Sequence, residues 1–272
     1  MTSKTAGPTP PDNLTPQKRG SPKVNTVTAD DITAALKAGF SDFLARPLMS
    51  GFFGLFYAVF GVLLVWTLVW LGKIWMIIPA IVAFPLVAPF ACAGLYEMSR
   101  RLQKGESFGW SDILTVMANQ RKREMGWMAF VTLMVLWVWF YQFRTVLVIV
   151  LQDASFSDID GFINIVLFTS EGWTFLAIGL CVGAFLSAVL FTVTVVAMPI
   201  LLDRDIDFVT AMITSVRVVT ESPVVMLTWA AIITVTMLLS LVPAFLGLIF
   251  TLPILGHTTW HLYQRAVSPA EG

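Results

Sequence analysis

The feature that most constrains this chain is a set of long runs without charged residues. Uncharged runs cover 48–71, 74–96, 172–202 and 223–256, and the run 125–151 contains a single charge, Arg144. A membrane-spanning helix needs about 20 apolar residues to cross a hydrocarbon core of about 30 Å. The runs therefore predict an all-α membrane protein. The low charged content of 12% agrees, because soluble domains carry about 25%.

The number of spans depends on the last run. The stretch 223–256 is too long for one helix, and Ser240 and Pro243 favour a turn near its middle. With that turn the chain has six transmembrane helices, and without it five.

Lysine and arginine decide between these alternatives. They are concentrated before the first run and in the segment 97–124, whereas the loop 152–171 has acidic residues and neither lysine nor arginine. The positive-inside rule then places both termini in the cytoplasm, which requires an even number of spans. We expect a disordered cytoplasmic tail over 1–29, rich in Pro, Thr, Ser and Lys, a polytopic membrane domain over 30–266, and a short cytoplasmic tail over 267–272.

A repeated pattern precedes two of the runs. The segments 30–48 and 206–224 both combine an apolar stripe at helical spacing with a proline that begins the run. The stripes consist of Ile32, Leu36, Phe40 and Phe43, and of Phe208, Met212, Val216 and Val219. A weaker copy covers 111–117. We therefore expect three tandem units, each an interfacial amphipathic helix followed by a transmembrane hairpin; the alternative is chance similarity between apolar sequences.

Three polar endings follow Pro89, Pro199 and Pro253, near the ends of the even-numbered spans. In a threefold repeat these endings meet at one membrane depth. The predicted cytoplasmic polar network consists of Glu97, Arg100, Arg101, Asp203, Arg204, Asp205, His257 and His261.

His257 and His261 are the only histidines in the chain, and their spacing of four puts them on one helix face. They are candidate metal ligands, but a zinc site needs three or four ligands and no third one is evident nearby. The favoured interpretation is the polar network, and no cofactor is predicted.

Arg144 lies within a span, where an arginine at the bilayer centre costs about 2.5–3.5 kcal/mol. Trp137, Tyr141 and Arg144 share a helix face, with Gln142 adjacent, and form a candidate intramembrane site. Such a cluster could bind a substrate carboxylate or a quinone headgroup. The alternative is a packing unit in which a neighbouring helix shields Arg144 from lipid.

The motifs GLYEMSRRLQKGE, MPILLDRDIDFVTAMITSVR and LPILGHTTWHLYQR resemble those of an uncharacterised family of bacterial integral membrane proteins with a domain of unknown function. The resemblance covers roughly residues 30–266 and implies a polytopic inner-membrane protein. Some family members are labelled cytochrome c oxidase subunit I. A haem–copper oxidase core needs more spans and more histidine ligands than this chain has, so we reject that activity.

No P-loop, GxSxG or dinucleotide-binding pattern occurs, which disfavours an enzyme. We expect a structural, assembly or interaction role in the lipid bilayer, with a membrane-protein partner or a homo-oligomer. By analogy with the oxidase label, that role lies beside a respiratory complex. The alternative is a small transporter with a site near Arg144 and the proline-broken even spans. The net charge of zero predicts no nucleic-acid partner.

Overall fold

A computed structural model describes residues 22–119, 124–151 and 159–268. Helices dominate these residues, so the predicted all-α class is confirmed. The described helices are α1 Ala29–Ala45, α2 Pro47–Trp70, α3 Ile77–Ala91, α4 Ala93–Lys104, α5 Trp110–Asn119, α6 Glu124–Val150, α7 Ile159–Phe168, α8 Ser170–Thr194, α9 Ala197–Asp203, α10 Phe208–Glu221, α11 Pro223–Leu241 and α12 Leu248–Ala266.

Local sequence explains where several of these helices begin. Thr28 and Asp31 form a reciprocal capping box at the start of α1, and the side chain of Asp207 accepts from Thr210 N at the start of α10. Such caps satisfy backbone N–H groups that have no partner within the helix. Pro47 and Pro223 occupy the first positions of α2 and α11, where the missing N–H of proline costs no hydrogen bond.

Within the residues that the structure describes, four segments are long and apolar enough to cross a membrane: Pro47–Trp70, Glu124–Val150, Ser170–Asp203 and Pro223–Leu241. The predicted six spans are therefore confirmed only in part. The helix α3 has 15 residues, and the second half of α12 is polar, which explains why neither meets the same criteria.

The apolar helices run as antiparallel neighbours. The hydroxyl of Tyr57 in α2 donates to the carbonyl oxygen of Phe84 in α3. The ring of Trp139 in α6 lies against Gly183 in α8, where an added Cβ would meet it at 2.9 Å. Ser240 in α11 shares a hydrogen bond of 2.8 Å with Thr251 in α12.

Two glycines allow α12 to approach its neighbours closely. A Cβ added at Gly39 in α1 would collide with the backbone of Thr258, and one added at Gly54 in α2 would lie 2.5 Å from the carbonyl oxygen of Leu248. Contacts of this kind between small residues hold helices together in membranes, where apolar side chains gain little by leaving lipid.

The buried faces of the amphipathic helices differ from the predicted stripes. The helix α1 buries Ile32, Ala35, Gly39 and Phe43, whereas Phe40 is 50% exposed. The helix α10 buries Ala211, Thr214, Ser215, Val218 and Val219. The predicted stripe of α1 was wrong at Phe40, whereas Leu36, Phe208 and Met212 pack partly buried against the core and Ile32, Phe43 and Val219 are buried. Close helix packing adds small residues to these faces, to which a hydropathy pattern gives little weight. The threefold repeat itself stays a prediction.

The two ends of the described chain lie side by side. Val24 and Val267 form an antiparallel β-bridge, and Asn25 N donates to Ala266 O at 2.9 Å. The N–H of Val27, a residue only 3% exposed, donates to Ser222 Oγ. Residues 22–28 and 267–268 were assigned to tails, and the structure corrects both boundaries by packing these segments together. Residues 1–21 and 269–272 lie outside the described residues.

Candidate functional site

The most deeply buried polar cluster surrounds His257 in the second half of α12. The side chains of Ser50, Ser99 and His257 are fully buried. The Oγ of Ser50 lies 3.0 Å from His257 Nε2, and the Oγ of Ser99 lies 2.7 Å from His257 Nδ1. One imidazole therefore joins the first turn of α2 to α4.

Asp42 in α1 extends this cluster, and it fixes where the hydrogens lie. Ser99 Oγ donates to Asp42 Oδ2 at 2.7 Å. A hydroxyl has only one hydrogen, so Ser99 accepts a hydrogen from His257 Nδ1. The Nε2 atom of a neutral His257 then accepts from Ser50.

The second histidine is oriented by a similar chain of donors. Trp260 Nε1 can only donate, and it lies 3.1 Å from Gln103 Oε1. The amide nitrogen of Gln103 therefore faces His261 Nδ1, at 3.0 Å. Because Nδ1 accepts, the hydrogen of His261 lies on Nε2 and points at Asp42 Oδ2, 2.8 Å away.

Asp42 is thus the acceptor shared by the two histidine branches. Burial raises the pKa of its carboxyl, but hydrogen bonds from His261 and Ser99 outweigh burial and leave the pKa below its ordinary value. An ionised Asp42 is what both donors require. We call Asp42, Ser50, Ser99, Gln103, His257, Trp260 and His261 the histidine cluster.

Glu97 forms a separate group on α4. Its fully buried carboxylate accepts from Arg100 Nε at 2.7 Å and from Arg101 Nε at 2.7 Å. Burial raises the pKa of Glu97, but the hydrogen bonds from the two arginines outweigh it, and the pKa lies below its ordinary value. Both ion pairs lie within α4, at spacings of three and four residues.

Asp203 and Arg204 form a third group around Tyr263. The hydroxyl of Tyr263 donates to Asp203 Oδ2 at 2.8 Å and accepts from Arg204 Nε at 3.1 Å. Arg204 also donates to the carbonyl oxygen of Ser268. Asp205 lines a neighbouring open cleft with Glu124 and the segment 201–206.

The residues of the predicted polar network are therefore arranged as three local groups: the histidine cluster, Glu97 with its two arginines on α4, and Asp203 and Arg204 with Tyr263. Sequence reasoning missed Asp42, Ser50, Ser99 and Gln103. A signal for Asp42 exists, because it lies three residues after Gly39 and seven after Ala35, on the small-residue face of α1. No such signal marks the two serines.

The geometry bears on the metal hypothesis for His257 and His261. All four ring nitrogens have hydrogen-bond partners: Ser50 and Ser99 for His257, and Asp42 and Gln103 for His261. Within the described part of the chain, no group of three or more His, Cys, Asp or Glu residues is placed to hold a metal ion.

The contact between Ser50 and His257 also has the form of a nucleophile beside a general base. A reacting serine must reach its substrate, and both side chains are fully enclosed. The arrangement therefore joins helices, and it presents no attacking atom at the surface.

The candidate intramembrane site lies on the surface of the chain. Trp137 and Tyr141 are 68% and 65% exposed, and their rings stack at 6.0 Å. Gln142 and Arg144 are exposed beside them. The expectation that a neighbouring helix of the same chain shields Arg144 is wrong, because α6 turns its Trp139 and Phe143 face toward the interior instead.

Comparison with known protein families gives a match to part of the chain. Residues 76–203 match a family described as a predicted integral membrane protein (DUF2189), a domain of unknown function. The predicted resemblance to an uncharacterised family of integral membrane proteins is confirmed for this segment, which is narrower than the expected 30–266. No curated protein and no solved structure matches the chain.

Proposed function

We propose that this integral membrane protein is a multi-pass protein of the bacterial inner membrane with a structural, assembly or interaction role beside another membrane protein. The observation that carries the proposal is the exposed Arg144 on an apolar span. The partner is either a different membrane protein or a second copy of the chain. A respiratory complex is the partner class suggested by the oxidase label within the similar family.

The topology we propose has six membrane-embedded helices in three hairpins, with both termini in the cytoplasm. The bridge between Val24 and Val267 supports an even number of crossings, because paired segments must lie on one side of the membrane. The three hairpins are α2–α3, α6–α8 and α11–α12. A reporter that is active only outside the cytoplasm, fused after Gly272, should stay inactive, and strong activity would overturn this topology.

Arg144 supports a partner because its charge is unfavourable where it lies. It is exposed on α6, six residues or about 9 Å before the end of the helix at 1.5 Å per residue. Lipid tails cannot hydrogen-bond a guanidinium, whereas a polar group of a neighbouring protein can. The adjacent Trp137 and Tyr141 rings would add rigid contact area of the kind enriched at protein interfaces.

The histidine cluster supports a scaffold role, because its hydrogen bonds join α1, α2, α4 and α12 to one another. We propose that no metal or other cofactor is bound there. Purified protein should contain well below one equivalent of zinc, iron or copper per chain. One equivalent, lost when His257 and His261 are both replaced by alanine, would overturn this part of the proposal.

Site-specific photo-crosslinking in native membranes tests the partner directly. A photoreactive residue at position 137 should give a discrete crosslinked protein, identified by mass spectrometry. A product of twice the mass of the chain would identify a second copy as the partner. The matched control is position 180 on α8, because Leu180 is 67% exposed and Trp137 is 68% exposed.

Arg144→Leu should reduce crosslinking from position 137 and leave crosslinking from position 180 unchanged. Crosslinks to lipid alone at both positions would contradict the proposed partner. Equal protein crosslinking at both positions would instead indicate nonspecific encounters.

A small transporter is the second candidate, favoured by the helix break between α8 and α9 at Val195 and Val196. Broken helices line binding sites in several transporter folds. A transport path through this break would expose Thr194, which is 5% exposed, to water. A small water-soluble thiol reagent should then modify Thr194→Cys, whereas the scaffold role predicts protection.

A further inference from the structure

The turn between α11 and α12 lies beside the middle of α2 and not beside its end. The two helices α2 and α12 run antiparallel, with His257 beside Ser50 and with Leu248 beside Gly54. The ring of Phe245, within the turn, lies against Gly61. The contacts therefore follow one register, and the turn is level with the middle of α2.

The helix α2 continues well beyond that level. It ends at Trp70, nine residues after Gly61 (70 − 61), which corresponds to about 14 Å at 1.5 Å per residue. The connection to α3 follows at Gly72 and Lys73, both exposed. The helix α2 consequently extends about 14 Å beyond its contact with Phe245 of the turn.

The composition of the turn fits hydrocarbon surroundings. Residues 242–247 read VPAFLG, and the side chains of Val242 and Leu246 are 80% and 58% exposed. The connection between α2 and α3, in contrast, contains a charged lysine. A turn that met water at the outer surface would expose these large apolar groups to it.

The backbone of the turn is also largely hydrogen-bonded within itself. The N–H groups of Val242, Phe245 and Leu246 donate to the carbonyl oxygens of Leu239, Leu241 and Pro243. Irregular backbone is tolerated at membrane depth only where it is buried in protein or lines a water-filled cavity. This turn is held against Gly61 of α2 and Phe84 of α3 by the ring of Phe245.

Packing fixes the turn in a strained conformation. Ala244 and Phe245 have φ values of 51° and 68°, a region that side chains with a Cβ rarely adopt. The Phe245 ring packs edge-on against Phe84 at 5.4 Å. The contact with α2 and α3 thus anchors the turn at its depth.

We infer that α11 and α12 form a re-entrant hairpin, which enters the membrane from the cytoplasmic side and turns within the outer leaflet. The level difference between the outer end of α2 and the turn, whose Val242 and Leu246 side chains are exposed, then forms an apolar step. The occupant of this step is the acyl chains of outer-leaflet lipids. This inference rests on the proposed topology, which sets the cytoplasmic side.

Lipid is the occupant because the step lies at the depth of the acyl chains. The residues above it, at the outer end of α2, are typical of the interface between headgroups and hydrocarbon. Trp66 and Trp70 stack at 6.5 Å near the outer end of α2, and tryptophan is enriched where headgroups meet hydrocarbon. Lys73 follows them and brings an ammonium group to the level of lipid phosphates.

Spin labelling tests the depth and the occupant together. A nitroxide is attached at Ala244→Cys in a Cys181→Ala background, and the protein is reconstituted in phosphatidylcholine and phosphatidylglycerol vesicles. Leu246→Cys serves if Ala244→Cys does not fold, and Lys73→Cys is the water-exposed control. Oxygen, which concentrates in hydrocarbon, should relax the label at 244 several-fold more effectively than a water-soluble nickel chelate, and the order should reverse at 73.

Nickel accessibility at 244 equal to that at 73 would mean that the hairpin crosses the membrane fully, which overturns the inference. Low accessibility to both reagents would mean that protein covers the turn, which overturns lipid as the occupant. Either result leaves the cytoplasmic C-terminus intact, and the reporter fused after Gly272 tests that separately.

Discussion

The histidine cluster and the outward faces of the spans differ in how they treat polar groups. Around His257, polar side chains are fully enclosed and each has a specific partner. On α6, the polar Arg144 lies at the surface beside exposed aromatic rings. The difference indicates that the cluster determines which helices of the chain pack together, whereas the outward faces of the spans contact lipid or another protein.

The same contrast appears in packing. Only 33% of the most apolar 18-residue stretch of α2 is buried inside the protein, and only 22% of that of α11. In α12, by comparison, most residues from Leu252 to Tyr263 are buried. Lipid replaces protein neighbours around the apolar helices, whereas it cannot satisfy the donors and acceptors of α12.

Loss of Asp42 should lower the stability of the folded protein most. Asp42→Ala removes the carboxylate that accepts from both Ser99 and His261, and a hydrogen bond to a charged group is worth about 1.5–3 kcal/mol. We expect a large drop in thermal stability in detergent. The control is Asp30→Ala on the same helix, in an exposed first turn, which should change stability by less than about 0.5 kcal/mol. Similar losses for the two variants would contradict the role of the cluster.

A matched pair of glycines tests close helix approach. Gly54→Ala introduces a Cβ 2.5 Å from Leu248 O, whereas Gly51→Ala, one turn earlier in α2, meets its nearest neighbour at 3.9 Å. Overpacking of this kind costs about 1–3 kcal/mol. The unfolding temperature should therefore fall clearly for Gly54→Ala and hardly at all for Gly51→Ala; equal tolerance would show that α2 and α12 do not touch as described.

Acid should weaken the cluster by way of Asp42. Its pKa in the folded protein lies below the ordinary value of 3.8, so its ionised form stabilises the fold. That stabilisation is complete above the unfolded pKa and is lost as pH falls through the folded pKa. Glu97 contributes with the same sign, below its ordinary value of 4.5. Unfolding temperatures measured from pH 6 down to pH 3 should fall less steeply for Asp42→Asn than for the wild type, and parallel curves would refute the assignment.

The smallest effect is expected at the span surface. Arg144→Leu replaces a side chain that is exposed on α6, so the isolated protein should change in stability by less than about 0.5 kcal/mol. Melting curves in detergent measure this. A loss of more than about 2 kcal/mol would mean that Arg144 is part of the fold after all.

The sequence predicted the helical architecture because charge-free runs and N-terminal prolines have direct physical consequences. It did not predict which face of α1 meets α12. That face is selected by Ala35 and Gly39, whose small size permits the contact, whereas hydropathy favours Leu36 and Phe40. Asp42 faces inward as a result of that choice, so the cluster could not be assembled from histidine spacing alone.

Arg144 shows a second feature that the sequence alone could not predict. The helix α6 is apolar on every side, so periodicity groups Trp137, Tyr141 and Arg144 on one face without saying whether that face points inward. The position of α8 decides it, through the contact of Trp139 with Gly183, and nothing near Arg144 in the sequence encodes that contact.

The central claim is that the histidine cluster couples the helices and the exposed span face does not. Two double-mutant cycles measure this, one on Asp42 and His261 with alanine and one on Trp137 and Tyr141 with alanine. We predict a coupling energy of about 1 kcal/mol or more for Asp42 and His261, within the range of residues in one hydrogen-bond network. For the exposed pair, which packs only ring on ring, we predict less than about 0.5 kcal/mol. A coupling near zero for Asp42 and His261, or a larger one for Trp137 and Tyr141, would contradict the account.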